Sequence, residues 1–318
     1  QVSLFNILQE GDIQIRGFKL RMPLDILFVF TANPEDYTNR GSIVTPLKDR
    51  IESQILTHYP KTLETSLAIT EQEADILEVQ KQRVDISDLI KRLIEQVSFE
   101  ARSNEFVDKK SGVSARLTIA AFENAISSAE RRAIIHNEKH TYVWISDLMG
   151  IIPSITGKIE LVYEGEQEGP YEVALNLLNK SIRTQFIEYF PNPELLKKKK
   201  MVNKMGEEKA LDNPYKSITS WFDGGNHLNL LLDMKDADKV VALYKVDGLF
   251  GLVKKYYPQA NEKESALLME FVLHGLAAFS LINKKMIDGK IEFNDLMSSM
   301  MNLGSFGEED DYNESDYQ

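Results

Sequence analysis

Asp25-Ile26-Leu27-Phe28-Val29-Phe30-Thr31-Ala32-Asn33-Pro34 is the stretch on which the fold turns. Five apolar residues between a charge and a polar turn have the length and composition of a buried strand. Thr31 to Pro34 ends that strand and places the Asn33 amide at its carboxyl edge, where open α/β sheets bind ligands. An amide there can donate to a phosphate oxygen or position a water; the plainer reading is that Asn33 caps the turn before Pro34. Upstream, Ile13, Ile15, Phe18, Leu20 and Met22 keep period two on each side of Gly17, which predicts two short strands folded at Arg16-Gly17. Downstream, a loop carrying Asp36, Asn39, Arg40 and Gly41 leads to a helix after Thr45-Pro46, with Leu47, Ile51 and Ile55 on one face. Residues 55–59 then read as a further short strand closed by Pro60, so that residues 1–65 form a truncated α/β piece.

From about Thr70 the pattern becomes helical. Thr70 followed by Glu73 has the spacing of a capping box. Leu89, Ile90, Leu93, Ile94 and Val97 recur at helical intervals. In residues 114–135, Leu117, Ala120, Ala121, Phe122, Ala125, Ala129 and Ala133 make a face of small residues that lets a neighbour approach closely. A short helix over 144–152 ends at Gly150 and Pro153, and residues 66–157 together predict a helical bundle. Residues 158–303 read as a separate, mostly helical domain, with helices over 171–190, 228–257, 262–282 and 291–301. The acidic, turn-rich residues 304–318 have the composition of a disordered tail. The fold class expected is therefore mainly α with a small α/β part.

Composition narrows the chemistry. The 318 residues contain no cysteine, which removes disulfides, thiolate metal ligands and cysteine nucleophiles and fits a reducing, cytoplasmic setting. A net charge of -12 argues against a nonspecific nucleic-acid binder, and the four lysines at 197–200 read as a solvated face. No run of apolar residues reaches the length of a membrane span.

Few side chains carry a chemical signal. Arg50, on the polar side of the short helix opposite Leu47 and Ile51, can complete another subunit's anion site through forked hydrogen bonds; its bland role is a surface ion pair. Arg116 opens the alanine-rich helix and can add charge to an anion near that helix's N-terminus, or be a plain surface charge. His136 and His140 stand four apart but lack further ligands, Glu10 and Asp12 lack a substrate pocket, and Trp144 and Trp221 read as core anchors.

Three segments, Leu4 to Gly17, Val29 to Tyr37, and Thr45-Pro46-Leu47-Lys48-Asp49-Arg50, resemble in order and spacing the AAA+ ATPases of the magnesium-chelatase ATPase-subunit and MoxR-like group. The resemblance covers residues 1 to about 155. It implies that the first segment is a hairpin inserted before the sensor 1 strand, that Asn33 is the sensor 1 asparagine, and that Arg50 is the arginine finger acting on ATP held by the adjacent subunit. Ser114-Ala115-Arg116-Leu117 resembles sensor 2, with Arg116 its arginine. By this resemblance Asn33, Arg50 and Arg116 serve catalysis, and Asn33 and Arg116 also contact the nucleotide. The implied function is that of a ring-forming, hexameric ATPase that couples hydrolysis to protein remodelling or metal insertion in a partner protein. The chain contains no G-x-x-x-x-G-K-[ST] loop and no Asp-Glu-ended strand ahead of Leu4. ATP and Mg²⁺ are thus expected in a complete protein, with no tight binding and no turnover by these 318 residues alone. The alternative expectation is a non-enzymatic helical scaffold.

Overall fold

The computed structural model describes residues 7–8, 11–21, 27–31, 49, 51–195 and 213–296. Of these, 56% are helical and 11% lie in strands, so the chain is mainly α with small sheets. It divides into two compact units, Gln1–His58 and Tyr59–Gln318.

In the first unit, β1 (Asp12–Ile15) pairs antiparallel with β2 (Phe18–Arg21). The turn between them holds Arg16 and Gly17 at φ 48° and 88°, the two positive values a tight I′ turn demands. The hairpin read from the period-two pattern is present. The buried strand expected at 25–30 is not: residues 27–31 carry no regular structure, and Leu27 and Val29 are 88% and 80% exposed. Apolar content makes a strand only when a neighbouring strand takes its hydrogen bonds and a layer covers its face; among the described residues no strand pairs with this run. Phe28 and Phe30 instead stack on each other, ring centroids 6.2 Å apart. Residues 55–59 likewise form no strand, and Ile55 is exposed.

Among its described residues, the second unit is built mainly on long helices. α1 (Leu63–Glu73) starts at Thr62, whose hydroxyl accepts from the Thr65 N–H at 3.2 Å. Thr70 is therefore inside this helix, not at its cap: the Thr70–Glu73 spacing mimicked a start that Thr62 supplies. α2 (Glu78–Arg83) leads to β3 (Val84–Asp85), which pairs parallel with β4 (Thr141–Tyr142). α3 (Asp88–Ser103) is capped by Ser87 and buries Leu89, Ile90, Leu93, Ile94 and Val97. α4 (Arg116–Ile135) buries Leu117, Ala121, Ala125, Ala129 and Ala133 along one line. The small side chains let a 3₁₀ segment (Ser146–Ile151) and α5 (Ile152–Thr156) lie close against it. The helix expected over 144–152 is thus a 3₁₀ turn running into α5, with Pro153 in the first turn of α5 rather than ending a helix.

After α6 (Tyr163–Glu168), α7 (Pro170–Tyr189) packs on α3 on one side and on α11 (Glu262–Ala278) on the other. α11 starts in a capping box of Asn261 and Glu264 and is buried at every position from Ser265 to Leu276. Between these helices stand α8 (Lys216–Asp223), β5 (Leu228–Leu231), α9 (Asp236–Tyr244) and α10 (Leu249–Tyr256). β6 (Asn283–Ile287) and β7 (Lys290–Asn294) complete a sheet of order β5-β7-β6, antiparallel throughout. The expected helix over 228–257 is therefore a strand and two helices. That over 291–301 begins as a strand, with Ile291 and Phe293 buried and their neighbours turned outward; residues 297–301, like the lysine run at 197–200 and the tail at 304–318, lie outside the described residues.

One hydrophobic core runs from Val84 to Phe293 without a break near residue 157. The expected boundary there does not divide the packing, because α7 lies against both α3 and α11. Polar contacts cross the same seam. Arg132 of α4, 1% exposed, donates to Asp147 at 3.2 and 3.0 Å, to the Tyr142 carbonyl at 2.9 Å, and to Asp236 at the head of α9. Asp236 also accepts from Thr141 Oγ1 and from Trp144 Nε1, both at 2.8 Å. Glu270 of α11 accepts the Ile145 and Ser146 N–H groups at 2.9 and 3.2 Å, and Lys239 lies over the Trp144 ring. Buried charges persist only when paired in this manner.

Candidate functional site

Of the three residues singled out above, Arg116 alone is placed; Asn33 and Arg50 lie outside the described residues. The loop leading to Arg116 is held from two sides. The Val113 N–H donates to the Tyr59 hydroxyl at 3.0 Å, and its carbonyl accepts from Arg102 Nε and Nη2 at 3.4 and 3.5 Å. The Arg102 guanidinium lies 4.4 Å from the centre of the Tyr59 ring, within the range of cation–π attraction. Gly112, at φ +72°, turns the chain where a Cβ would collide with the Tyr59 hydroxyl.

α4 begins from this clamp. The Ser114 hydroxyl accepts the Arg116 N–H at 3.2 Å, Ala115 offers no cap of its own, and no acidic side chain stands in the first turn. Arg116 is exposed, and among the described residues its guanidinium makes no ion pair. A free cation beside the positive end of a 20-residue helix is what an anionic partner would meet.

Beneath this end lies a buried polar cluster that the periodicity of α1, α3 and α4 conceals. Glu95 of α3 is 1% exposed and accepts from Ser66 Oγ at 2.5 Å, while its other oxygen has no partner. Thr70 and Thr118 hydroxyls are 3.0 Å apart, and Thr118 Oγ1 donates to the Ala115 carbonyl at 3.1 Å, so Thr70 is the donor between them. Burial pushes the Glu95 carboxyl up from its ordinary value, against the pull of the Ser66 hydroxyl and the Arg102 charge.

The other candidates are structural. His136 caps α4 and meets the Asp233 carbonyl, while His140 faces Asp85 at 3.2 Å. Among the described residues no group of three His, Asp or Glu side chains is placed to hold a metal. Asp12 is buried and paired with Lys19 at 2.9 Å, and Glu10 lies outside the described residues. Trp144 is fully buried, as an anchor should be.

Two further groups escaped sequence reasoning. Lys284 of β6 lines a cavity of about 300 Å³ with Asn179, Ser280 and Asn283, donates to Asn179 Oδ1 at 2.7 Å, and is pushed down to about 8 by burial. His274 of α11 is buried edge-on to Phe293 with neither ring nitrogen partnered. Burial, reinforced by the charges of Lys284 and Lys239, drives it well below the ordinary histidine range, so it is neutral. Only the break at Asp288-Gly289 in the sequence signals the sheet that brings Lys284 here.

No protein-family model, curated protein or solved structure matches this chain. Among the described residues no helix is long and apolar enough to cross a membrane.

Proposed function

We propose that these residues belong to a ring-forming AAA+ ATPase of the magnesium-chelatase-like or MoxR-like kind, which couples ATP hydrolysis to remodelling of, or metal insertion into, a partner protein. The observation that carries the reading is the ordered set Asn33, Arg50 and Arg116 in its three motif settings. The exposed position of Arg116 in the first turn of α4, without an ion pair among the described residues, supports it. The amide NH₂ of an asparagine and two guanidinium groups supply donors, and this donor set fits the oxygens of a nucleotide phosphate. Mg-ATP, when bound, supplies the phosphoryl group whose transfer to water drives the ring. Arg116 adds positive charge to that phosphate from the lid side, Asn33 orients the water or a phosphate oxygen, and Arg50 reaches across to the neighbouring subunit. The Tyr59–Val113–Arg102 clamp fixes the loop from which Arg116 projects.

The test is Asn33→Ala in the protein that joins this chain to a phosphate-binding loop. Removing one preorganised donor lowers turnover by about 10²-fold while leaving nucleotide affinity within a few-fold of the parent. Unchanged turnover would return Asn33 to the role of a turn cap.

A second reading rests on the helical build of the second unit: a helical scaffold that binds a complete ATPase and hydrolyses nothing. Stimulation of a separate ATPase by the intact chain, unaffected by Asn33→Ala and Arg50→Ala, would select it.

A further inference from the structure

The cavity of about 300 Å³ between the end of α11, the start of β6 and α7 is lined by Asn179, Ala277, Ala278, Ser280, Ile282 and Lys284, among others. Its polar groups are donors. Lys284 Nζ donates to Asn179 Oδ1 at 2.7 Å. An ammonium group has three hydrogens and no acceptor, so this bond fixes the Asn179 amide with its oxygen towards Lys284 and its NH₂ away. Among the described residues that NH₂ makes no hydrogen bond, and neither does the Ser280 hydroxyl. Ser280 holds φ 51° just past the end of α11, where glycine is the usual residue. A serine there sets a hydroxyl at the cavity at a conformational cost that glycine would not carry.

Nothing in the lining balances the charge. No carboxylate lines the cavity among the described residues. The carbonyls at the end of α11 are already taken: Ala277 accepts the Ser280 N–H at 2.9 Å, and Ala278 accepts Arg183 Nη1 at 3.2 Å. Arg183 is itself paired with Glu194. His274 of α11, which feels the Lys284 charge, is neutral and adds no negative charge. Lys285 faces Glu292 across the register, on the opposite side of the sheet from Lys284. Burial alone lowers Lys284 to about 8, so the amine is still largely protonated at neutral pH. It then has one neutral acceptor, two idle hydrogens and no counter-ion, and a sheltered cation in that state is costly. A carboxylate supplies the missing charge, accepts from Lys284, and has a second oxygen for the Asn179 NH₂ or the Ser280 hydroxyl. Ala277, Ala278 and Ile282 add an apolar wall, which favours an aliphatic carboxylate over a phosphate.

We propose that this cavity binds a small monocarboxylate with a short aliphatic tail, its charge matched by Lys284 and its tail against the end of α11. The site stands independently of the nucleotide reading.

Isothermal titration of the intact chain with butyrate, with n-butylammonium as the cationic control and with inorganic phosphate tests the proposal. Saturable binding of butyrate, tighter than that of either control, is expected. A bound anion raises the affinity of Lys284 for its proton. Titrations at about pH 8.5 in two buffers of different ionisation enthalpy should therefore show uptake of a fraction of a proton per butyrate, and titrations at about pH 6.5, where the ammonium is already formed, should show none. Lys284→Met removes the charge, and Asn179→Asp supplies a fixed carboxylate beside Lys284 in place of the ligand's. Each should weaken butyrate by about tenfold or more; if Lys284→Met does not fold, Asn179→Asp decides. Absence of saturable butyrate binding, tighter binding of n-butylammonium or of phosphate, no proton uptake at about pH 8.5, or butyrate affinity unchanged in Asn179→Asp would each overturn the proposal.

Discussion

Glu95 and Lys284 are ionisable groups that burial shifts in opposite senses, and each leaves a signature in stability against pH. Glu95 holds its proton above the ordinary 4.5. From 4.5 up to its raised value the folded chain binds more protons than the unfolded one, so its contribution is fully present below 4.5 and is lost as pH rises through the folded value. Glu95→Gln should remove that loss: denaturant midpoints of variant and parent, measured from pH 4 to 8, should diverge in the variant's favour as pH rises. A constant difference would mean that Glu95 is ionised throughout. Lys284 behaves conversely. Between about 8 and 10.5 the unfolded chain binds more protons, so stability rises with pH across that window. Lys284→Met should be stabilised relative to the parent below pH 8, with the advantage shrinking towards pH 10.5. Residues of this kind were hidden in the sequence for a physical reason. Glu95 occupies a position between Ile94 and Gln96 that reads as the polar side of an amphipathic helix, and only the packing of α1 and α4 covers it. The helix start at Arg116 was legible because its signal is local.

Elements were legible where local pattern suffices. Arg16-Gly17 and the helical spacing of Leu89, Ile90, Leu93, Ile94 and Val97 announce a turn and a helix within a short stretch of chain. β5 and β7 were not legible, since each acquires its hydrogen bonds from a partner far away in sequence, Leu228 facing Phe293 and Leu231 facing Lys290. The β6–β7 hairpin did carry a local mark: Asp288-Gly289, at φ 47° and 74°, is the same kind of turn as Arg16-Gly17. The apolar run at 26–30 illustrates the reverse error, strand composition without a strand to pair with among the described residues. Helix α11 offers a test of close packing. A Cβ on Gly275 would fall inside contact distance of the Phe186 ring, and that ring is surrounded by Phe190, Tyr215, Phe271 and Phe279, with centroids 5.5 to 6.0 Å away. With no room to retreat, Gly275→Ala should destabilise by about 1–3 kcal/mol despite the better helix propensity of alanine. Chemical denaturation of the two proteins measures it; equal midpoints would mean that the α7–α11 contact is looser than its geometry.

At the scale of the molecule, one core runs from Val84 to Phe293 among the described residues of the second unit, and Arg132 fastens α4 to the 3₁₀ segment and to α9. Calorimetry should record a single transition for this unit. Arg132→Met leaves Asp147 and Asp236 without their cation, and should cost about 3–5 kcal/mol while keeping the transition single; two separated transitions would restore the boundary expected at 157. The functional account reaches beyond this unit to Arg50, and its most direct test is an ATPase assay on mixed rings. It uses the protein that joins this chain to a phosphate-binding loop, after subunit exchange between rings has been verified. If Arg50 stabilises charge developing on a neighbour's nucleotide, Arg50→Ala lowers turnover by about 10²-fold, close to 3 kcal/mol of barrier, with affinity nearly intact. Arg50→Lys does not rescue it, because an ammonium lacks the guanidinium fork. Rings mixed from Arg50→Ala subunits and subunits disabled in the phosphate-binding loop should then recover activity at mixed interfaces that neither variant has alone. Full turnover by a ring made only of Arg50→Ala subunits would contradict the account.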